Sequence, residues 1–132
     1  MAFQTIGFIG LGLIGGSIAK KMKSNQPDIK IYATAHHKET IEEAYRKGLI
    51  ENNDLLPLSA FSDCDYIFLC APVQRNLAYL RQLKDIIRSD CYITDVGSTK
   101  TEIHEEVIRL GMEANFIGGH PMTGSEKTGI LS

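Results

Sequence analysis

Short runs of apolar residues alternate along this chain with stretches in which apolar residues recur every three or four positions. The runs predict five strands, at Thr5–Ile9, Ile29–Thr34, Asp65–Ala71, Cys91–Val96 and Asn115–Gly119. The helical spacing predicts four helices: one from about Leu13 to Lys23, one over Lys38–Gly48, one marked by Leu77, Leu80 and Leu83, and one marked by Ile103, Val107 and Leu110. Gly48 and Gly111 are placed to end the second and fourth helices.

The predicted strands are apolar almost throughout, which is typical of a parallel sheet covered by helices on both faces. Because crossovers between parallel strands are right-handed, such a chain forms a doubly wound, mostly parallel α/β sheet of the Rossmann type. Between Ile50 and Ser62 the pattern allows either a short strand or a loop. Since the sequence has no internal repeat, low-complexity tract or linker, we expect a single domain over residues 1–132.

The turn between the first strand and the first helix contains the motif G-x-G-x-x-G. In this motif Gly10 permits a tight turn, Gly12 lets a pyrophosphate approach the backbone, and Gly15 allows the helix to pack closely on the strand. Backbone N–H groups and the positive end of the helix attract phosphates. The strand–turn–helix context therefore predicts a dinucleotide site, whose turn consists of Gly10, Leu11, Gly12, Leu13, Ile14 and Gly15.

The end of the second predicted strand bears on which dinucleotide is bound. Ala35 stands where an acidic residue ordinarily hydrogen-bonds the adenosine ribose. Without that carboxylate a 2′-phosphate on the ribose is not repelled. The neighbouring residues can donate hydrogen bonds to such a phosphate: Thr34 before Ala35, and His36, His37 and Lys38 after it. We therefore expect NAD or NADP as the cofactor, with NADP favoured by these residues. Alternatively, the two histidines are solvated loop residues and NAD binds less tightly.

Three further segments follow strand ends, and ligands of open parallel sheets bind there. Ala71, Pro72 and Val73 are expected to form a wall beside the nicotinamide or the adjoining ribose. Ser98 is placed at the start of the last helix, where its hydroxyl can bind a ligand, although a serine there also serves as a helix cap. His120 can accept a proton from a substrate hydroxyl near neutral pH, or can be a turn residue hydrogen-bonded to backbone.

Composition and charge narrow the range of functions. The chain has 132 residues, of which 43% are hydrophobic and 23% charged, enough for one globular core. A formal charge of −2 gives no basic surface for nucleic acid or anionic lipid, and no segment suits a signal peptide or a membrane span. Cys64, Cys70 and Cys91 lack metal-ligand spacing; Cys70 is expected to be a buried free thiol, and His104 to be exposed. We therefore expect a cytoplasmic protein that binds small molecules and no metal.

Three segments resemble, in their order and spacing, the prephenate dehydrogenase family, which includes arogenate dehydrogenases: GLGLIGGS at Gly10–Ser17, DVGSTK at Asp95–Lys100 and GGHPMTGSEKTG at Gly118–Gly129. The resemblance covers nearly the whole chain, and the last segment discriminates best. It implies an oxidoreductase of tyrosine, and so aromatic amino acid, biosynthesis, which converts prephenate to 4-hydroxyphenylpyruvate by oxidative decarboxylation. The C4 ring hydrogen leaves as hydride to the nicotinamide, the C4 hydroxyl loses its proton, and the ring carboxylate leaves as CO₂.

The same resemblance implies roles for residues late in the chain. His120 matches the family's catalytic histidine, and Ser98 matches a serine that hydrogen-bonds in the same neighbourhood. Two residues depart from the family's pattern, since Ala35 replaces the usual acidic residue and Thr123 stands where alanine is common. Glu126 is expected to gate access to the site. It belongs to a substrate loop at the mouth of the site, made of Thr123, Gly124, Ser125, Glu126 and Lys127.

The resemblance also implies a helical C-terminal domain that forms a homodimer and provides an arginine for the substrate carboxylate. Because the sequence ends at Ser132, we expect this chain to be most of the cofactor half of the enzyme and to turn prephenate over poorly by itself. Three alternatives stay open: an arogenate dehydrogenase, another Rossmann-type hydroxyacid dehydrogenase, and a non-catalytic dinucleotide-binding module.

Overall fold

A computed structural model describes residues 4–96 and 101–117 of the chain. In this part of the chain four strands form one sheet: β1 (Thr5–Ile9), β2 (Lys30–Thr34), β3 (Tyr66–Leu69) and β4 (Tyr92–Asp95). Their order across the sheet is β2-β1-β3-β4, and each neighbouring pair is parallel. The predicted doubly wound, parallel sheet is therefore confirmed, with strand bounds within one or two residues of those expected.

Four α-helices accompany these strands in the described residues: α1 (Leu13–Asn25), α2 (Lys38–Arg46), α3 (Val73–Leu83) and α4 (Thr101–Leu110). Their positions confirm the helices predicted from the spacing of apolar residues. Gly48 and Gly111 follow α2 and α4 with φ of 75° and 71°, the left-handed conformation in which glycine commonly ends a helix. A short 3-10 helix, Leu58–Phe61, lies in the segment for which the sequence allowed a strand or a loop.

The predicted last strand, Asn115–Gly119, is described only as far as residue 117, and this part pairs with β4. There Phe116 forms a single bridge with β4, opposite Ile93. The backbone N–H groups of Asn115 and Phe116 both donate to the carbonyl of Met112, at 3.0 and 3.1 Å, so a turn occupies the start of the segment. The side chain of Asn115 donates to two carbonyl groups just before β4. The N–H of Ile93 donates to the carbonyl of Asn115, and the N–H of Ile117 donates to the carbonyl of Ile93, both at 2.8 Å, so residues 115–117 pair with β4 in parallel through their backbone.

The helices cover both faces of the sheet. Helices α1 and α2 pack with β1 and β2 in one apolar cluster, whereas α3 and α4 pack against the opposite face in another. All four residues of β3 are buried, which explains the continuous apolar run in its sequence. Phe8 and Phe68 stack across β1 and β3 with their ring centroids 4.8 Å apart. The strand ends are thus held by a core on each side.

At the edge of the sheet formed by β2, a side chain takes the place of a further strand. The N–H of Glu51 donates to the carbonyl of Ile31 at 2.7 Å. The amide of Asn52 then bonds both backbone groups of Ala33: its oxygen accepts from the N–H at 3.0 Å, and its nitrogen donates to the carbonyl at 2.8 Å. The chain therefore crosses from β2 to an edge segment beyond it, and a right-handed crossover places α2 on the same face as α1.

Helices α3 and α4 are joined through one nearly buried carboxylate. Glu106 on α4 accepts a hydrogen bond from Arg81 Nε of α3 at 3.0 Å and a second from Arg109 of its own helix. These bonds from Arg109 and Arg81 lower the pKa of Glu106 to about 2. The ionised carboxylate therefore contributes to the packing of the two helices.

We expect Glu106→Gln to lower the free energy of unfolding at pH 7, modestly because the side chains of Arg81 and Arg109 are 52% and 63% exposed. Since the pKa of the folded protein lies below the ordinary value of 4.5, this contribution is complete above pH 4.5 and is lost as the pH falls toward 2. Urea denaturation at several pH values measures this. Glu105→Gln, at the exposed neighbouring residue, is the control, and equal losses in both variants would contradict the assignment.

Candidate functional site

A crevice opens where the strand order reverses between β1 and β3. The chain leaves β1 toward β2 on one side and later leaves β3 toward β4 on the other, and such a point is where doubly wound sheets bind ligands. The N–H of Cys70 donates to the carbonyl of Ile9 at 2.8 Å, which holds the two strand ends together. Gly10 and Ala71, the next residues along each segment, therefore face each other across the crevice floor.

Gly10 forms the tight turn at this floor. Its φ is +86°, and a Cβ atom at this position would lie 2.7 Å from both the Cβ and the backbone nitrogen of Ala71. The N–H groups of Gly10 and Leu11 both donate to the carbonyl of Thr34, at 2.9 and 3.0 Å. The structure thus brings together predicted cofactor-binding residues from the ends of β1, β2 and β3.

Of the remaining residues of the glycine turn, one faces the core and the others face the solvent. Gly15 faces the core, where an added Cβ atom would lie 3.1 Å from the sulfur of Cys70. Around Gly12 the nearest atom to such a Cβ is 3.9 Å away, so the backbone can be approached there. Leu13 and Ile14 are 93% and 54% exposed. The turn therefore presents a bare backbone with two apolar side chains beside it.

The N-terminus of α1 has backbone N–H groups that can bind a ligand. Gly12 stands at its N-cap, and among the described residues no side chain caps the helix or places an acid in its first turn. The first N–H groups of an α-helix have no partner within the helix, and their end of the helix dipole is positive. This geometry fits a dinucleotide pyrophosphate. A groove of about 740 Å³ also lies beside Gly12, between α1 and α2, with Lys20 and Lys47 among its lining residues.

The predicted hydrogen-bond donors lie at the end of β2, and two carboxylates lie close to one of them. Ala35 is partly buried against the core, and the exposed rings of His36 and His37 meet edge to face with centroids 4.6 Å apart. The ammonium group of Lys38 lies 3.9 Å from the carboxylates of both Glu42 and Asp54. Sequence reasoning missed the acid contributed by Asp54, because it comes from the loop beyond the edge segment and no local pattern places it there.

At the end of β3 a buried amide, also missed by the sequence analysis, supports the predicted wall. Ala71 is buried, Pro72 caps α3 and Val73 begins the helix. Asn76, fully buried in the first turns of α3, bonds both backbone groups of Ala71. One signal was available: Asn76 occupies the helical stripe that continues to Leu80, so it is a polar residue at a core position.

The end of β4 fixes the chain just before the two segments expected to perform chemistry. The hydroxyl of Thr94 donates to the carbonyl of Ile117 at 2.9 Å, and Asp95, at the strand's last position, is buried. Ser98, His120 and the substrate loop, with Thr123, Gly124, Ser125, Glu126 and Lys127, lie outside the described residues. Their roles stay predictions.

The cysteines and the other histidine of interest complete the account of reactive groups. Cys64 and Cys91 are buried, whereas Cys70, a free thiol packed against the core, is partly buried, so the expectation of a buried thiol was wrong in degree. Burial and the charge of Asp95 raise the pKa of the Cys70 thiol to about 12. His104 is exposed, as expected.

Within residues 4–96 and 101–117 no group of three potential ligands could hold a metal ion, and no helix has the length and apolar character to cross a membrane.

A parallel, doubly wound sheet with a glycine turn at its switch point defines a dinucleotide-binding domain of the Rossmann type. Comparison with known families gives the same class in more detail. Residues 18–132 match the family described as prephenate dehydrogenase, nucleotide-binding domain, and the chain belongs to this family.

Curated and solved relatives agree with this assignment. The chain is 39% identical to a prephenate dehydrogenase of Lactococcus lactis subsp. cremoris, over 94% of this chain and 35% of that protein. It resembles the structure of prephenate dehydrogenase from A. aeolicus in complex with hydroxyphenyl propionate and NAD+, with a TM-score of 0.80 and 29% identity, over 96% of this chain and 44% of the other. Arogenate dehydrogenase of Synechocystis matches with a TM-score of 0.76 and 34% identity, over 92% and 42%. The chain therefore spans about a third of the length of the curated relative.

Proposed function

We propose that this chain is the cofactor-binding part of a cytoplasmic enzyme that converts prephenate to 4-hydroxyphenylpyruvate, with NAD or NADP as the hydride acceptor, in tyrosine biosynthesis. The observation that supports it most directly is the bare turn at Gly10–Gly15, which lies against Ala71 at the switch point of the sheet. Its membership of the prephenate dehydrogenase family supports the reaction. We also propose that the complete protein is a homodimer, formed through residues beyond this chain.

The residues of this chain divide the work between holding the cofactor and handling a proton. The first turn of α1 hydrogen-bonds the pyrophosphate, and Ala71–Val73 confine the nicotinamide end, which when bound accepts the hydride. His120 accepts the proton of the substrate's C4 hydroxyl as the ring carboxylate leaves as CO₂. Ser98 hydrogen-bonds in the same place and orients His120 and the substrate. The loop that contains Glu126 controls access from solvent.

Rates measured on the complete protein test this proposal. We expect prephenate to be consumed with equal formation of reduced nicotinamide and 4-hydroxyphenylpyruvate. Arogenate is a second candidate substrate, because one of the matched structures is an arogenate dehydrogenase. A rate with arogenate alone would select that candidate, and no rate with either compound would contradict the proposed function.

For the cofactor, we expect NADP to bind this chain several-fold more tightly than NAD in calorimetric titrations. The donors at Thr34, His36 and His37 and the lack of a carboxylate at Ala35 support a 2′-phosphate there. Ala35→Asp should reverse the preference by placing a negative charge at the ribose, whereas Asp54→Asn should strengthen NADP binding by removing one of the two carboxylates near Lys38. Tighter NAD binding by the unmodified chain would show that these residues do not read the phosphate.

A further inference from the structure

A single buried amide joins the ends of two neighbouring strands. Asn76 has no exposed surface. Its oxygen accepts a hydrogen bond from the N–H of Ala71 at 3.2 Å, and its nitrogen donates to the carbonyl of Ala71 at 2.9 Å. The same nitrogen lies 3.2 Å from a carboxylate oxygen of Asp95 and 3.5 Å from the carbonyl of Leu69. All hydrogen-bonding atoms of this side chain are therefore used.

The two residues that Asn76 joins belong to different parts of the proposed site. Ala71 begins the wall beside the nicotinamide and contacts Gly10 on its other side. Asp95 is the last residue of β4, directly before the segment that contains Ser98. The amide thus spans from the cofactor wall to the strand end from which the serine segment departs.

An amide suits this position better than any other side chain of its size. Asn76 must accept from one backbone N–H while it donates to a carbonyl and to a carboxylate, and an amide offers an acceptor together with two N–H donors without a charge of its own, whereas a hydroxyl group has only one donor. A leucine would fill the space but would leave buried polar groups without these partners. An aspartate would bring a second carboxylate next to Asp95, and two such groups do not both ionise easily.

We propose that Asn76 is a positioning residue, which sets the spacing between the cofactor wall at Ala71–Val73 and the end of β4 at Asp95, and so holds the nicotinamide end of the site in its binding geometry. This inference rests on the proposed function, because it requires a dinucleotide in the crevice. Asn76 does not touch the cofactor; it acts through Ala71.

The test is the pH dependence of dinucleotide binding by the variant Asn76→Asp. When protonated, the new side chain keeps one acceptor for Ala71 and one donor toward Asp95, so at pH 5 we expect the affinity for NADH to stay within about threefold of the unmodified chain. As the pH rises to 8 the new carboxyl group loses this proton against the repulsion of Asp95, and the donor toward Asp95 is lost with it, so we expect the affinity to fall about tenfold or more. The thiol of Cys70, which is near Asp95, stays neutral in this range because burial raises its pKa to about 12.

Gln74→Glu is a matched control. It makes the same amide-to-carboxylate change on the same helix, at an exposed residue whose amide lies 3.5 Å from the carboxylate of Glu102. We expect its NADH affinity to match that of the unmodified chain at both pH values. Unfolding midpoints recorded at each pH show whether Asn76→Asp changes binding while the fold is retained.

A second variant covers a failure of the first to fold. Combining Asn76→Asp with Asp95→Asn restores an amide–carboxylate pair with exchanged partners. Because a carboxylate cannot donate to the carbonyl of Ala71, we expect it to recover folding and only part of the NADH affinity lost at pH 8. If Asn76→Asp binds NADH like Gln74→Glu at both pH values, or if the double variant recovers neither folding nor affinity, Asn76 does not position the site. If the unmodified chain binds neither NADH nor NADPH, the proposed function itself fails.

Discussion

Replacing His120 with asparagine in the complete protein should lower kcat by about two to four orders of magnitude, the usual contribution of a general base. Asparagine retains hydrogen-bonding capacity but cannot accept the proton of the substrate hydroxyl, so dinucleotide affinity should change little. In the unmodified enzyme kcat/KM should fall as the pH drops below about 6.5, where an ordinary histidine becomes protonated. Steady-state kinetics over pH 5 to 9 measure both effects.

His104→Asn provides the control for that experiment. His104 is an exposed histidine on α4, and its replacement should leave kcat and the pH profile unchanged. A His120→Asn enzyme with full activity would contradict the proposed role of the histidine. It would leave the turn-residue interpretation as the better account of the GGHPMTG segment.

Gly10→Ala should abolish measurable dinucleotide binding and lower the free energy of unfolding by about 2 kcal/mol or more. Two costs combine at this residue. Its φ of +86° is strained for alanine, and the new methyl group would lie 2.7 Å from the backbone nitrogen of Ala71, which cannot move without displacing the strand end. The turn would have to open, and the first N–H groups of α1 would leave their present geometry. Calorimetric titration and urea denaturation measure the two losses separately.

Two glycines of the same chain separate these costs. Gly48 has a φ of +75° but no atom within 4 Å of an added Cβ, so Gly48→Ala measures the backbone penalty alone. Gly16 lies in α1 with nothing within 4 Å, and Gly16→Ala should be neutral or stabilising because alanine favours the helix. Both variants should bind dinucleotide as the unmodified chain does. Equal destabilisation of Gly10→Ala and Gly48→Ala would show that the contact with Ala71 is unimportant.

Much of the fold could be predicted because its determinants are local. The residues Tyr66–Leu69 are all buried, so one apolar run marks the strand, and the positions Ile18 and Met22 mark the buried face of α1. The glycine turn could likewise be predicted, since its conformation depends on residues within the motif and on its place between a strand and a helix. The doubly wound arrangement was predicted from the handedness of crossovers between parallel strands, whereas the order β2-β1-β3-β4 was not predicted.

What could not be predicted depends on side chains that meet across long stretches of sequence. The sequence around Asn52 does not show that its amide pairs with Ala33. The contact takes the place of a strand, so no alternation of apolar residues marks it. The contact of Asn76 with Asp95, and the approach of Asp54 to Lys38, likewise appear only when the elements are assembled.

The amide at the border of β2 has a consequence for the behaviour of the protein at high concentration. An uncovered strand edge is a template on which another molecule can add a strand, and this is how native sheets begin to aggregate. At Ala33 both backbone groups are already bonded to Asn52, and the carbonyl of Ile31 is bonded to Glu51. A foreign strand must displace these partners before it can extend the sheet, so one asparagine side chain gives the domain a barrier to self-association through this edge.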